Sequence, residues 1–252
     1  MLKRLVRPLV PPPVLHAWRR YTAARIDRRF SGSTPAEVFA TVYREGLWGA
    51  TADGEYCSGT GSHEDAIVRP YLAGVRAFLA EFPGLSVGVD LGCGDFHVGS
   101  QLVGSFREFI AVDVVPELIE RNAREFRHPH TSFRCIDIVG EELPRADVAF
   151  LRQVLQHLSN AQVVAVVPKL YQYRWLVVTE HLPSSLSFQA NRDKPIGPGV
   201  RERFGSGLVL TAPPFNLRAS EQRQLCTVAC SAGTIQTIAY RMASQRPASN
   251  GK

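Results

Sequence analysis

The 252-residue chain is predicted to fold as one α/β domain around a mostly parallel sheet. Three observations carry this expectation. From about Glu64 onward, short apolar runs rich in β-branched residues alternate with segments of helical period. The first run passes into a tight Gly-x-Gly turn, Asp90-Leu91-Gly92-Cys93-Gly94. The last two runs are separated only by Ser231-Ala232-Gly233, which marks an antiparallel hairpin at the end of the sheet.

Taken in order, Leu2, Leu5, Val6 and Leu9 recur at helical spacing opposite Lys3, Arg4 and Arg7, and Pro11, Pro12 and Pro13 stop that helix. A second amphipathic stretch carries Leu15, Trp18, Thr22 and Ile26 on one side. Residues 1–30 thus read as a basic amphipathic arm. It suits docking on an anionic membrane surface, where each nearby cation contributes roughly 1 kcal/mol. The preferred reading is plainer: an N-terminal helix packed on the domain, or a mobile tail. Residues 31–63 form a covering segment, with a short helix over Ala36–Arg44 and then an irregular Gly/Ser loop through Ser62. A helix over Glu64–Phe82 opens the main domain, residues 64–242. Strands are predicted at Val87–Asp90, Phe109–Val114, Ser132–Asp137, Val148–Leu151 and Trp175–Thr179, with helices at Val98–Phe106, Pro116–Phe126 and Asn160–Tyr171. Residues 183–217 hold Gly and Pro without period and read as an insertion near the site. Gln224–Cys230 and Thr234–Met242 complete the sheet, and 243–252 read as a flexible tail.

Composition narrows the function. The net charge of +6 resides in the arm: eight cations against Asp27 give Met1–Arg29 a charge of +7 and leave −1 for the rest. Nucleic acid wants a basic face built into the fold, so a nucleic-acid partner is not expected. No apolar run approaches the roughly 20 residues that span a bilayer, and a secretory signal is not expected. Five cysteines without Cys-x-x-Cys spacing exclude a disulfide framework and a zinc ribbon from the expectation, so no metal is assigned and the cytoplasm is the expected compartment.

The chemistry concentrates at Val87–Asp95. Glycines at 92 and 94 let backbone pass close to a ligand. A dinucleotide fingerprint requires a further glycine where His97 stands. Asp90, just before the turn, disfavours a pyrophosphate and suits a cationic ligand such as the sulfonium and ammonium of S-adenosylmethionine (SAM). Asp113 ends the next strand, where a carboxylate can accept both hydroxyls of a ribose. Asp137 ends the third, on the adenine side. Each acid alone reads equally as a solvated strand end or a helix cap. Three at successive strand ends, the first beside Gly-x-Gly, are hard to explain that way.

On these residues the chain resembles the class I SAM-dependent methyltransferases over roughly Glu64 to Met242. The resemblance implies a Rossmann-like three-layer sandwich, a seven-stranded sheet ending in an antiparallel hairpin, and SAM as cofactor. It implies cofactor contacts at Asp90, Gly92, Gly94, Asp113, Val114, Asp137 and Ile138. Phe96 departs from the family, which often has glycine there. Leu47-Trp48-Gly49, Cys57-Ser58-Gly59-Thr60-Gly61-Ser62, Leu151–Leu158 and Leu210–Leu217 are similar to a bacterial methyltransferase group associated with sugar and polysaccharide modification.

Trp48 with Gly61 and Ser62 is expected to cover the cofactor, although Trp48 reads equally as a core aromatic. Arg152 and Gln153, at the fourth strand's end, are placed against cofactor or substrate. His157 is the first candidate for a general base toward an acceptor hydroxyl, since an unperturbed imidazole titrates near pKa 6.5; a structural hydrogen bond is its other reading. Glu180 and His181 are the runner-up pair. Asn191, Arg192, Asp193, Arg201 and Arg203 suit an anionic or polyhydroxylated acceptor, or an exposed loop. The leading expectation is O-methylation of a hydroxyl on a sugar, glycan or small metabolite. N- or C-methylation, and a non-catalytic subunit that keeps the fold, are the alternatives.

Overall fold

The computed structural model describes residues 28–30, 32–49, 56–184, 188–230 and 233–243. The basic arm lies outside the described residues except for Arg28, Arg29 and Phe30. The Ser231–Ala232 turn and the tail beyond residue 243 lie outside them too.

Helix α1 (Pro35–Arg44) starts where the sequence can cap it. The Thr34 side chain accepts from the Glu37 amide, the Glu37 carboxylate accepts from the Thr34 amide, and Pro35 has no amide to leave unpaired. A four-residue turn of helix, α2 (Thr60–His63), leads into α3 (Asp65–Ala80). Beyond it come β1 (Val87–Leu91), β2 (Glu108–Asp113), α4 (Pro116–Glu125), β3 (Thr131–Cys135) and β4 (Val148–Arg152). Next are α5 (Asn160–Leu170), capped by Ser159 with Gln162 in the same reciprocal way, and β5 (Trp175–Pro183). Short strands β6 (Gln189–Ala190) and β7 (Ser206–Gly207) pair within the insertion. The long strands β8 (Ala219–Cys230) and β9 (Gly233–Met242) close the chain.

The main sheet has seven strands in the order β3-β2-β1-β4-β5-β9-β8. The first five are parallel, and β9 runs antiparallel to both β5 and β8. Because side chains alternate along a strand, each strand supplies both faces. Val89, Leu91, Ile110, Val112, Ala149, Leu151, Leu176 and Val178 meet α1 and α5 on one face. Phe109, Ala111, Val148, Phe150, Trp175 and Val177 meet α3 on the other. The result is the expected three-layer sandwich. Strand order reverses between β1 and β4, so their carboxyl ends splay and leave the crevice where open α/β sheets take ligands.

One predicted helix is absent. Residues 98–106 form two 3-10 turns, Gly99–Gln101 and Val103–Ser105. Phe96 occupies the left-handed region at φ 60° and packs edge-on against Phe126 and Phe133. A Cβ at Gly99 would stand 2.6 Å from both Asp90 Oδ2 and the Phe96 ring. Glycines at 99 and 104, each costing about 1 kcal/mol in a helix interior, also weaken a continuous α-helix. Among the described residues no helix is long and apolar enough to cross a membrane.

At Gly74, α3 rests directly on β8: a Cβ there would lie 2.6 Å from the Leu225 carbonyl oxygen. Backbone cannot yield as a side chain can, so the clash outweighs the roughly 1 kcal/mol of helix propensity gained from alanine. Gly74→Ala should lower stability by about 1–3 kcal/mol, read as a lower midpoint in urea unfolding. An unchanged midpoint would contradict this packing.

Candidate active site

The splayed ends of β1, β2, β3 and β4 enclose a cleft with about 1010 Å³ of space, its open mouth included. Asp90, Gly92, Gly94, Asp113, Val114, Asp137, Ile138, Arg152 and Gln153 line it, together with Trp48, Ser62 and His157 from the flanks. The first turn is shaped by Gly92 and Gly94, at φ 87° and 57°. A Cβ on Gly94 would sit 2.2 Å from Ser58 Oγ, so only glycine lets the covering segment close on the turn.

Three buried carboxylates crowd this turn. Asp113 Oδ2 accepts from the Gly94 amide at 3.0 Å, and Oδ1 accepts from the Val115 amide at 3.1 Å. Burial pushes its pKa up, and those amides partly restore it. Asp95 Oδ2 accepts from the Ser58 amide at 2.7 Å, while the Asp95 amide donates to Ser58 Oγ at 2.8 Å. Asp90 has less compensation. Burial lifts its pKa to about 7, against the attraction of Arg152 and with the repulsion of Asp113. Asp137 is half-buried and turns the loop that follows it, its Oδ1 accepting from the Val139 amide at 2.8 Å. Lys169 Nζ pins that loop by donating to the carbonyls of Ile138, Val139 and Glu141.

Arg152 ties β4 to the covering segment. It donates to Ser62 Oγ at 3.1 Å and to the Gly61 carbonyl, and its guanidinium lies 4.9 Å from the centre of the Tyr71 ring. Gly61 itself is not in the cleft wall; it abuts Gln153, whose Oε1 would stand 2.2 Å from a Cβ there. Trp48 stands at the cleft and in an aromatic cluster at once. It lines the cleft and packs against Phe39, Tyr43 and His157, with ring centres 5.9, 5.3 and 4.8 Å away. Its indole donates to the Pro198 carbonyl at 3.2 Å, joining the covering segment to the insertion.

His157 reaches the cleft wall on the turn after β4, but not as an ordinary imidazole. Burial, with Lys194 close by, lowers its pKa to about 3, against the opposing effect of backbone hydrogen bonds to Gly197 and Gly199. It is neutral at working pH, and it is a much weaker proton acceptor than the expected value near 6.5 implies. Glu180 and His181 do not join it. Glu180 faces a separate small cavity lined by Val178, Leu182, Leu208, Leu210 and Tyr240, where burial lifts its pKa to about 8. His181 points to the other face of β5 and meets Cys230 Sγ at 3.0 Å. Adjacent strand residues face opposite ways, so the two cannot act as a pair.

Two of the insertion's polar residues are structural. Asn191 is buried and donates to the carbonyls of Val209, Ala212 and Pro213, and Arg201 donates to those of Arg192 and Leu158. Asp193 accepts from the Asn160 amide at 2.8 Å at the start of α5. Conversely, the sequence reading assigned no role to Phe39, Tyr43, Tyr71 or Asp95, all of which line the cleft. Asp95, adjoining Gly94, was the one with a visible signal.

No protein-family model matches the chain, and no curated protein sequence does. Its fold is similar to that of the N-methyltransferase NodS from Bradyrhizobium japonicum WM9 in complex with S-adenosyl-L-homocysteine. That match has 17% identity and a TM-score of 0.55, over 71% of this chain and 89% of that one. The fold is also similar to a SAM-dependent methyltransferase of Leishmania major, with 17% identity and a TM-score of 0.54 over 88% and 82%. A third likeness is to human N-acetylserotonin methyltransferase in complex with SAM, with 14% identity and a TM-score of 0.54 over 90% and 67%. These likenesses establish the fold.

An acid whose pKa is raised by folding binds more protons in the native than in the unfolded state. Stability therefore falls as pH rises from about 4, its unfolded value, to about 7. Asp90→Asn should raise the thermal midpoint of the ligand-free protein at pH 8 and remove part of its decline across that window. A lower midpoint would mean that the Asp90 charge is well compensated by Arg152.

Proposed function

We propose that this protein is a SAM-dependent methyltransferase that methylates a hydroxyl on a sugar, glycan or other small metabolite. The observation that carries the reading is the convergence of Asp90, Asp113 and Asp137 on one cleft around the Gly92–Gly94 turn. Two of these acids are buried, and among the described residues Asp90 has Arg152 set against its charge while Asp113 has backbone amides. A ligand that is cationic at one end and a nucleoside at the other fits this charge pattern, whereas the pyrophosphate of a dinucleotide would meet Asp90.

On this reading Asp90 offers its charge to the cationic end, Asp113 the ribose and Asp137 with Ile138 the adenine. Ser62 and Arg152 stand ready for the methionine carboxylate. When bound, the cofactor supplies an electrophilic methyl group. What the protein adds is orientation: an in-line displacement needs nucleophile and methyl aligned, which is worth several kcal/mol. The wall of Trp48, Phe39 and Tyr43 offers a flat apolar surface on which a sugar or aromatic ring can stack. Neutral His157 at that wall offers an acceptor hydroxyl a hydrogen-bond partner; its low pKa makes that pairing one of position, and the proton the hydroxyl loses as the methyl is transferred passes to water at the open mouth of the cleft.

The reading is tested by incubating the protein with methyl-labelled SAM and panels of sugar, phenolic and amine acceptors. Label on a hydroxyl oxygen supports it, and label only on amines would replace O- with N-methylation. Asp113→Ala removes charge-assisted hydrogen bonds worth roughly 1.5–3 kcal/mol each, so it should weaken binding of S-adenosylhomocysteine by at least about tenfold. Undiminished affinity would contradict the ribose placement.

The Asp90 carboxylate must be ionised to hold a cation. SAM affinity should therefore decline as pH falls through about 7, and Asp90→Asn should flatten that profile at a lower affinity. Turnover at saturating SAM should show no inflection near 6.5 from His157. An inflection there that vanishes in His157→Gln would restore it as a titrating base.

A further inference from the structure

At the lip of the cleft the described residues hold a cluster with ligand chemistry of its own. Cys57 Sγ, a ring nitrogen of His63 and a carboxylate oxygen of Asp95 lie within 4.8 Å of one another. We propose that these three side chains bind one divalent transition-metal ion of zinc type, with a fourth coordination position left open.

The donor set selects the metal. A thiolate, an imidazole and a carboxylate suit zinc, whereas calcium and magnesium call for oxygen ligands alone. Around a tetrahedral ion with bonds of about 2.0–2.3 Å, ligand atoms stand about 3.5 Å apart, so the wider separations in the cluster close while the His63–Asp95 pair opens by about 1 Å to admit the ion. His63 Nε2 and Asp95 Oδ2 are already 2.6 Å apart, sharing a proton. An ion bridging the two would take that proton's place, and its uptake would release protons to solvent.

The surroundings hold the ligands in orientation. Asp95 is buried, with Oδ1 accepting from the His97 amide at 3.1 Å and Oδ2 from the Ser58 amide at 2.7 Å. The His63 ring stacks on His97, with centres 4.6 Å apart and planes 25° from parallel. Outer contacts of this kind fix the direction of metal ligands. Cys57 and His63 flank the Ser58–Ser62 stretch that covers the cleft, and Asp95 follows Gly94. An ion here fastens the covering segment onto the turn that shapes the site. Three protein ligands also leave one position for water or an acceptor atom.

The test is metal binding by the full chain, which needs no methyl transfer and so stands or falls apart from the proposed activity. The protein is stripped with a chelator, confirmed folded by circular dichroism, and titrated with zinc, then with cobalt as a spectroscopic stand-in. Expected are one zinc per chain and a thiolate-to-cobalt charge-transfer band. Cys57→Ser should abolish the band, and His63→Ala should weaken zinc binding by at least about tenfold. Cys135→Ser, at an exposed cysteine elsewhere, should leave both unchanged. Absence of saturable one-to-one binding overturns the proposal, as does binding that both variants retain. Should Cys57→Ser fail to fold, His63→Ala at a partly exposed side chain decides the question alone.

Discussion

Carboxylates gather where this fold can least afford their charge. Asp90, Asp95 and Asp113 surround a single turn at the reversal point of the sheet, each more than nine-tenths buried. Desolvation disfavours Asp90 and Asp113 as anions, and each of the three is answered differently. Backbone amides answer Asp113, the covering segment answers Asp95, and Arg152 answers Asp90 only in part. The last is the weak point of the ligand-free protein and the strong point of a cation-binding one. Strain of this kind is tolerated at functional sites because bound ligand relieves it.

Much of the remaining architecture serves that turn. Gly92 and Gly94 bend the chain so that residues 56–63 can close over it, held by Ser58 and by the two donors of Arg152. Phe96 fills, in a left-handed conformation, a position where a glycine would leave a void among Phe109, Phe126 and Phe133. Lys169 holds the loop after β3 from below, and Trp48 and Pro198 join the two segments that roof the cleft. The insertion is built on its own buried polar contacts through Asn191 and Arg201, and it supplies the wall behind His157.

The end of β2 at Asp113 was legible in the sequence because an apolar run that stops at an acid is local information, and so was the hairpin of β8 and β9. Strand β3 ends at Cys135, two residues before the acid expected to end it, because the chain has already turned into the loop that Asp137 shapes. The helix expected over 98–106 misled because its periodicity was real while Gly99 and Gly104 weakened it. Its first turn also had to pass against Asp90. Glu180 and His181 looked like a pair only along the chain; the period of two along β5 sends one to each face. The low pKa of His157 was invisible because it depends on Lys194 and on burial beneath the insertion. Cys57, His63 and Asp95 could not be joined in advance, since nothing local relates a loop before α3 to the turn after β1.

The most direct measurement is a calorimetric titration of the whole protein with SAM, S-adenosylhomocysteine and NAD in parallel. Three acids around a Gly-x-Gly turn predict saturable one-to-one binding of the first two and none of NAD. Binding of NAD in place of the others would contradict the account at its root, because Asp90 would then stand beside a pyrophosphate.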